Sequence, residues 1–251
     1  MSTRIAFLAS ALVLTACATQ PGPAAVTATS PHIVAAVASA LRPAEDRARD
    51  ADRKPAEMLA LAGIAPGQRV ADFIPGGGYF TRIFAGAVGD SGKVYALAPP
   101  PGAERPGAPS IRDITAPYKN VEVVQQSFTT LSVPEPLDVI FTAQNYHDLH
   151  LARLNLDWAA VNRQIFAALK PGGVYLVVDH RAKPGADVSV ADTLHRIDPA
   201  IVRRELEAAG FVLESESSAL RNPADTLELG VFDPAIRGHT DQFVLRFRKP
   251  Q

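Results

Sequence analysis

The strongest constraint on the fold is a buried-strand pattern that runs directly into glycines and then into a helix pattern. Residues 69–73 (RVADF) are mostly apolar and are followed at once by Pro75-Gly76-Gly77-Gly78. Residues 79–88 then predict a helix that ends at Gly89. Glycines at such a turn let the backbone approach a ligand closely and adopt angles that side chains disfavour. This unit therefore favours a doubly wound α/β domain with a ligand site at the turn.

The alternation of strand and helix patterns continues along the chain. Further strands are predicted at 93–97, 121–125, 137–142 and 174–178, and further helices at 56–62 and 156–169. This order predicts a parallel sheet with right-handed crossovers. A helix near 199–209 precedes two segments, 211–217 and 242–248, that predict an antiparallel hairpin. The expected fold class is a doubly wound, Rossmann-like, mostly parallel sheet with a C-terminal antiparallel hairpin. Residues 218–241 have no clear pattern.

The N-terminus has the pattern of an export signal. Arg4 precedes an apolar run, residues 5–14, that is too short to span a membrane of about 30 Å, so residues 1–16 are interpreted as a signal peptide. Leu14-Thr15-Ala16-Cys17 looks like a bacterial lipobox, and Cys17 is the only cysteine. We expect lipidation at Cys17 and a periplasmic protein anchored by lipid, with the outer membrane favoured. An ordinary secretory signal with a chance cysteine is the alternative.

The remaining N-terminal residues divide into two segments. Residues 17–31 are small, polar and proline-containing, so they predict a lipid-anchored flexible tether. Residues 32–54 predict a helical lead-in, in which the charge-rich part, 42–54, is expected to be a solvated surface segment. Residues 55–251 then form the α/β domain. The formal net charge of −1 and the absence of a basic run argue against a nucleic-acid partner.

The order of elements across residues 55–251 resembles the class I S-adenosylmethionine-dependent methyltransferase domain. In that family Asp72 would stand at the acidic position of the cofactor turn, with Gly76 and Gly78 at two of its glycines, and residues 170–178 match the turn and fifth strand. The resemblance implies S-adenosylmethionine as cofactor. The candidate cofactor-binding residues are Asp72, Gly76, Gly77, Gly78 and Asn145.

Two positions depart from the family pattern. Ile74 stands where the family has its first glycine, which adds bulk beside the methionine part of the cofactor. Residues 95–99, at the end of the second strand, contain no carboxylate to bind the ribose hydroxyls. Other segments, including 145–148, 195–199 and 240–244, look like an exported bacterial family of predicted methyltransferases, a label that itself depends largely on fold. The glycine turn can also be a simple strand-to-helix turn.

A polar cluster is expected where the neighbouring strands end, since ligands of open parallel sheets bind there. The candidate catalytic residues are His147, Asp148, Asp179 and His180. A histidine beside a carboxylate can take a proton from a substrate hydroxyl or amine, as methyl transfer requires. Sequence neighbours on a strand face opposite ways, so the pairing within this set stays open. His195 and Asp198 join the cluster if their segment folds back, and Asp198 with Pro199 also predicts a helix N-cap.

These features favour a methyltransferase of the cell envelope that acts on an unknown small-molecule acceptor. Two alternatives stay open. One is a small-ligand-binding lipoprotein that has lost the chemistry, and the other is an enzyme that uses the histidine and aspartate cluster as a base or metal site. The spacing of the cluster matches no standard metal site, so no metal ligands are assigned. Apart from the substrate, the expected partner is a membrane, through the lipid, and the oligomeric state is open.

Overall fold

The computed structural model describes residues 30–100 and 109–251. Cys17, the signal peptide and residues 17–29 of the tether lie outside the described residues. Seven strands form one sheet in the order β3-β2-β1-β4-β5-β7-β6. The first five of these are parallel neighbours, whereas β7 pairs antiparallel with both β5 and β6. The strands are β1 (Arg69–Phe73), β2 (Lys93–Ala98), β3 (Val121–Gln125), β4 (Leu137–Ala143), β5 (Leu169–His180), β6 (Val212–Ser217) and β7 (Gln242–Arg248).

Helices cover both faces of the sheet, so the predicted fold class is confirmed. Two short 3-10 helices, His147–His150 and Ala152–Leu154, follow β4. Within the described ranges, no helix is long and apolar enough to cross a membrane. The α-helices are α1 (Pro31–Val37), α2 (Ala44–Arg47), α3 (Asp50–Arg53), α4 (Pro55–Ala62), α5 (Tyr79–Val88), α6 (Ile111–Thr115), α7 (Trp158–Ala168), α8 (Val190–Leu194) and α9 (Pro199–Ala208).

The alternation of side chains along the strands divides the core into two layers. On β1, Val70 packs beneath α4 and α5, whereas Ala71 and Phe73 pack on the opposite face beneath α7 and α9. Two helices on that second face begin at side-chain caps. Asp157 accepts a hydrogen bond from Ala160 N at the start of α7, and Asp198 accepts one from Ala200 N at the start of α9.

Strand β5 starts earlier than its sequence indicates. Residues 170–173 (KPGG) predict a turn before a strand at 174–178, but Leu169 already pairs with Leu137 of β4. The next pair is Val139 with Val174, so three extra residues on β5 are accommodated as an irregularity in the ladder. Gly172 supplies the positive φ of 76° that this irregularity needs.

The expectation that residues 42–54 form a solvated surface segment holds for most of them, which are exposed, but not for two of the charged residues. The Arg42 side chain is fully buried and donates from Nη1 to Asp50 Oδ2 at 2.9 Å. Asp46 is buried as well and forms an ion pair of 2.5 Å with Arg82 of α5. Buried charges of this kind are retained when each has a partner. The charges pair with one another and with α5, so this segment packs against the domain as part of it.

The segment between β6 and β7 consists of turns organised around a buried ion pair. Arg196 is fully buried and donates from Nη2 to both carboxylate oxygens of Asp225, at 3.1 and 2.9 Å. Arg196 also donates to the backbone oxygens of Leu229 and Arg181. A guanidinium with this many acceptors fixes a loop that has no regular hydrogen-bond ladder. The loop is thereby held over the carboxyl end of the sheet.

Candidate active site

A cavity of about 410 Å³ lies at the carboxyl ends of β1, β4 and β5. Four of the candidate cofactor residues line it, namely Asp72, Gly76, Gly77 and Asn145. Three of the candidate catalytic residues do so as well, namely His147, Asp148 and His180. Gly78 and Asp179 are outside the lining. The cavity therefore brings most of the predicted site residues together, as the topology of an open parallel sheet requires.

The glycine turn after β1 presents bare backbone to the cavity. Gly76 has a φ of 53°, and a Cβ atom added to Gly76 or Gly77 would meet no atom within 4 Å. Gly78 differs, because its Cβ would lie 3.0 Å from Ile114 Cγ2. Gly76 and Gly77 thus leave room for a ligand, whereas Gly78 is required by the close approach of helix α6.

Ile74 adopts a backbone conformation that favours glycine. Its φ is 61°, in the left-handed region that a β-branched residue rarely adopts, at a cost of about 1–3 kcal/mol. Two hydrogen bonds hold it there. Ile74 N donates to Leu97 O at 3.1 Å, and Asn145 Nδ2 donates to Ile74 O at 2.9 Å. Asn145 therefore has a defined role, which is to connect the turn after β1 to the end of β4.

Asp72 is a buried carboxylate between the cavity and α5. Its Oδ2 atom accepts a hydrogen bond of 2.6 Å from Thr81 Oγ1. Burial raises the pKa of Asp72 to about 6, although the Thr81 hydrogen bond and the charge of Arg53 oppose the shift. The carboxylate is thus ionised at neutral pH at a cost to stability, as expected of a residue placed for a ligand.

His147 and Asp179 form a buried imidazole–carboxylate pair. His147 Nδ1 lies 2.9 Å from Asp179 Oδ1, and His147 N donates to Asp179 Oδ2 at 2.7 Å. Burial opposes the charge on His147, but the Asp179 carboxylate outweighs it and raises the pKa of His147. The pKa of Asp179 is lowered, because the contact with His147 outweighs its complete burial. The pair fixes the ring and leaves Nε2 facing the Asp148 carboxylate, which lines the same cavity.

Asp148, His195 and His180 lie around His147. Asp148 Oδ1 lies 3.3 Å from His147 Nε2, and the His195 ring packs edge-on against the His147 ring with centroids 5.5 Å apart. The His180 ring does not pair with its neighbour Asp179, and its Nδ1 lies 2.7 Å from Thr240 Oγ1. Burial lowers the pKa of His180 to about 4, so it is neutral at pH 7.

His195 therefore folds back into the cluster, whereas Asp198 does not. The Asp198 carboxylate caps α9 and accepts a hydrogen bond from Gly185 N at 2.7 Å. The N-cap predicted for Asp198 and Pro199 is present. Arg221 and Arg237 are not part of the cavity lining, and Arg221 pairs with Asp241.

The sequence interpretation missed several residues of the lining. Three arginines add positive charge to the lining. Arg49 and Arg53 come from the segment expected to be solvated, and Arg153 comes from the second 3-10 helix. Arg53 stacks over the rings of Tyr79 and Phe80 at 4.3 and 4.7 Å, and burial lowers its pKa to about 10. Arginine in a charge-rich stretch carries no sequence signal that separates a cavity wall from a solvated face.

The end of β2 contributes nothing to this cavity. None of the lining residues comes from β2, and its last residues, Leu97 and Ala98, are apolar. Residues 101–108, which follow in the chain, lie outside the described ranges. The described site is therefore the part that faces β1, β4 and β5, and the carboxylate that binds ribose in the resembled family is absent at the end of β2.

The fold is that of the class I S-adenosylmethionine-dependent methyltransferases. A solved S-adenosylmethionine-dependent methyltransferase from Aquifex aeolicus superposes with a TM-score of 0.55 over 83% of this chain and 98% of its own, at 19% identity. The [4+2]-cyclase SpnF superposes with a TM-score of 0.60 over 85% of this chain and 86% of its own, at 17% identity. These structures establish the fold, and the second shows that proteins of this fold can carry other activities.

A curated relative agrees with the fold. The chain is 28% identical over 192 residues to the ubiquinone/menaquinone biosynthesis C-methyltransferase UbiE from Cronobacter sakazakii. The match covers 75% of this chain and 66% of the length of that protein. No family model matches the chain. Together these similarities agree with the predicted fold, that of the class I S-adenosylmethionine-dependent methyltransferases.

Proposed function

We propose that this protein transfers a methyl group from S-adenosylmethionine to a small acceptor that carries a hydroxyl or amine. One observation carries the proposal. The open glycine turn, Gly76-Gly77, and the imidazole of the His147–Asp179 pair line the same cavity. A donor site and an acid–base group within one cavity are what transfer to an oxygen or nitrogen needs.

Different residues have different roles in the proposed methyl transfer. When bound, S-adenosylmethionine supplies an electrophilic methyl group. The chemistry that the cofactor would supply is transfer of this methyl group to the acceptor oxygen or nitrogen. His147 Nε2 accepts the proton of the acceptor, and Asp179 stabilises the resulting imidazolium through its contact with Nδ1. Neutral His180 and the wall formed by Phe232 border the acceptor side.

The cavity fits the methionine end of this cofactor better than the ribose end. Gly76 and Gly77 leave open space, and the Asp72 carboxylate offers a partner to the ammonium group of the methionine part. Ile74 keeps the required left-handed backbone. Among the described residues, the end of β2 up to residue 100 has no carboxylate for the ribose, so we expect weaker binding than a full set of contacts would give.

Calorimetric titration of the chain with S-adenosylmethionine and S-adenosylhomocysteine tests the proposal. We expect micromolar binding that Gly76→Val abolishes, because the valine side chain enters the cavity. Gly185→Val is the matched control, since Gly185 has a positive φ of 77°, has open space around its Cβ and is not part of the cavity lining. Absence of binding at millimolar cofactor, with the wild-type protein folded, would refute the proposal.

A second candidate function is an enzyme that uses the histidine cluster without this cofactor. The observation that favours it is the convergence of His147, His180 and His195, with His147 centred 6.0 Å from the His180 ring and 5.5 Å from the His195 ring. A protein that only binds a ligand has no need of a buried imidazole–carboxylate pair, so the geometry favours an enzyme over a binding protein. Failure of the cofactor titration would leave this candidate.

We also propose that the chain is exported to the periplasm and anchored to the outer membrane by lipid on Cys17. The support is the sequence alone, namely the apolar run 5–14 with Leu14-Thr15-Ala16-Cys17 directly after it. Metabolic labelling with a radioactive fatty acid should mark the wild-type protein and not Cys17→Ser. Equal labelling of both proteins, or recovery of both in the cytosol, would contradict this proposal.

A further inference from the structure

The rim of the cavity holds two imidazoles and one carboxylate that converge on one point. One ligand atom from each of His147, Asp148 and His195 can be chosen so that all three lie within 4.8 Å of one another. Around a divalent ion with bonds of about 2.1 Å, such atoms stand about 3.0–3.4 Å apart. The pair His147 Nε2 and Asp148 Oδ1 is already at 3.3 Å. Small side-chain rotations of half-buried His195 would complete the set.

The contact of His147 Nδ1 with a carboxylate is typical of a histidine that binds a metal through Nε2. Asp179 is fully buried and holds Nδ1 at 2.9 Å, which directs the lone pair of Nε2 toward Asp148 and His195. Histidine ligands in metal sites are commonly oriented by a carboxylate in this way. The two aspartates also offer two negative charges to balance a divalent cation. This balance matters because Arg153 contributes positive charge to the same cavity.

The position of His195 is a second, independent observation. His195 ends α8 with a φ of 53°, in the left-handed region, where the backbone costs more than an extended or helical one. Its ring is held between the His147 ring and the Phe232 ring, with centroids 5.5 and 4.9 Å away. No side-chain hydrogen bond of His195 is present among the described residues. The strained backbone of His195 thus places its imidazole, which has no hydrogen-bond partner among the described residues, beside His147 and Asp148.

We propose that His147, Asp148 and His195 bind one divalent transition-metal ion, such as Zn²⁺, Fe²⁺ or Mn²⁺, with Asp179 as the residue that orients His147. Two histidines and one carboxylate with open positions suit these ions, whereas Mg²⁺ and Ca²⁺ prefer oxygen ligands. The proposal goes beyond the proposed function, because the ion needs no cofactor to bind. If both hold, His147 would serve as a metal ligand in place of a base, and the ion would supply the Lewis acidity that lowers the pKa of an acceptor hydroxyl, whose proton would go to solvent.

The test is a metal titration of the full-length chain in the Cys17→Ser background, so that the one thiol cannot bind the ion. The metal-stripped protein is titrated with Zn²⁺ against a chromophoric chelator, and with Co²⁺ while its visible absorption is recorded. We expect one ion per chain at micromolar affinity or tighter. His195→Ala and Asp148→Asn should each weaken Zn²⁺ binding by at least tenfold, as should Asp179→Asn through the orientation of His147.

His239→Ala is the matched control, because His239 is an exposed histidine that is not part of this cavity. Its Zn²⁺ affinity should equal that of the parent chain. His195→Ala and Asp148→Asn change groups at the rim, and circular dichroism verifies that both variants fold. Absence of binding at 1 mM Zn²⁺, or unchanged affinity in both rim variants, would overturn the metal site. Cofactor titration with a chelator present separates this result from the proposed function, since that binding requires no ion.

Discussion

Replacing Asp72 by asparagine should make the protein more stable, and increasingly so as the pH rises. Folding raises the pKa of this carboxyl from its ordinary 3.8 to about 6, chiefly by burial. A raised carboxyl pKa means that the folded state binds the proton more tightly than the unfolded state. The fold therefore bears no cost from this group below about pH 3.8, and the full cost once the pH exceeds about 6.

The size of the effect follows from the two pKa values. At 1.36 kcal/mol per pH unit, the difference between 3.8 and about 6 corresponds to about 3 kcal/mol at pH 7.5, and to about 1 kcal/mol at pH 4.5. Asparagine keeps the acceptor for Thr81 and has no charge. The gain in the free energy of unfolding of Asp72→Asn over wild type should thus grow by about 2 kcal/mol between these pH values.

Urea unfolding of both proteins at pH 4.5 and 7.5 measures this gain. Asp90→Asn, the same change on an exposed aspartate in the turn after α5, should alter stability by less than about 0.5 kcal/mol at either pH. A gain for Asp72→Asn that is equal at both pH values, or a loss at pH 7.5, would refute the argument that burial of this charge destabilises the fold.

Two further predictions concern the backbone at Ile74 and the buried ion pair. Ile74→Gly should be more stable than Ile74→Ala by about 1 kcal/mol in urea unfolding, because both lose the same packing and only glycine adopts the left-handed φ freely; a more stable alanine variant would contradict this. Asp225→Asn should cost about 3–5 kcal/mol, since it leaves Arg196 buried without its counter-charge. Glu228→Gln, which breaks an exposed pair, should cost under about 1 kcal/mol, and similar losses in the two variants would show that burial of the pair is unimportant.

Much of the fold is readable in the sequence because its signals are local. The ranges predicted for β1, α5, β3 and β7 agree with the structure to the residue, since each is an apolar or amphipathic segment bounded by turn residues. The start of β5 was not predictable in the same way. Prolines and glycines in residues 170–173 indicate a turn, and only the pairing with β4 shows that the strand continues through them.

The site was predictable in its location and not in its pairings. Strand order places the ends of β1, β4 and β5 together, which is enough to collect Asp72, His147 and His180. His147 lies in the 3-10 helix after β4, so its contact with Asp179 of β5 depends on the path of that turn, which the alternation of side chains along a strand does not predict. Arg49 and Arg53 gave no signal, because a helix with alternating charges has the same pattern whether it is solvated or packed.

The packing of residues 31–53 has a mechanical consequence. Asp46, Arg49 and Arg53 of this segment line the cavity, α1 packs on α5, and the Asp46–Arg82 ion pair holds the lining residues to α5. Tension applied to the chain ahead of Ser30 would act first on α1, then on the ion-paired segment, and only afterwards on the strands. The cavity would open on the side that these residues line while the sheet stayed intact. The shape of the cavity thus depends on the force applied to the chain on the N-terminal side of Ser30.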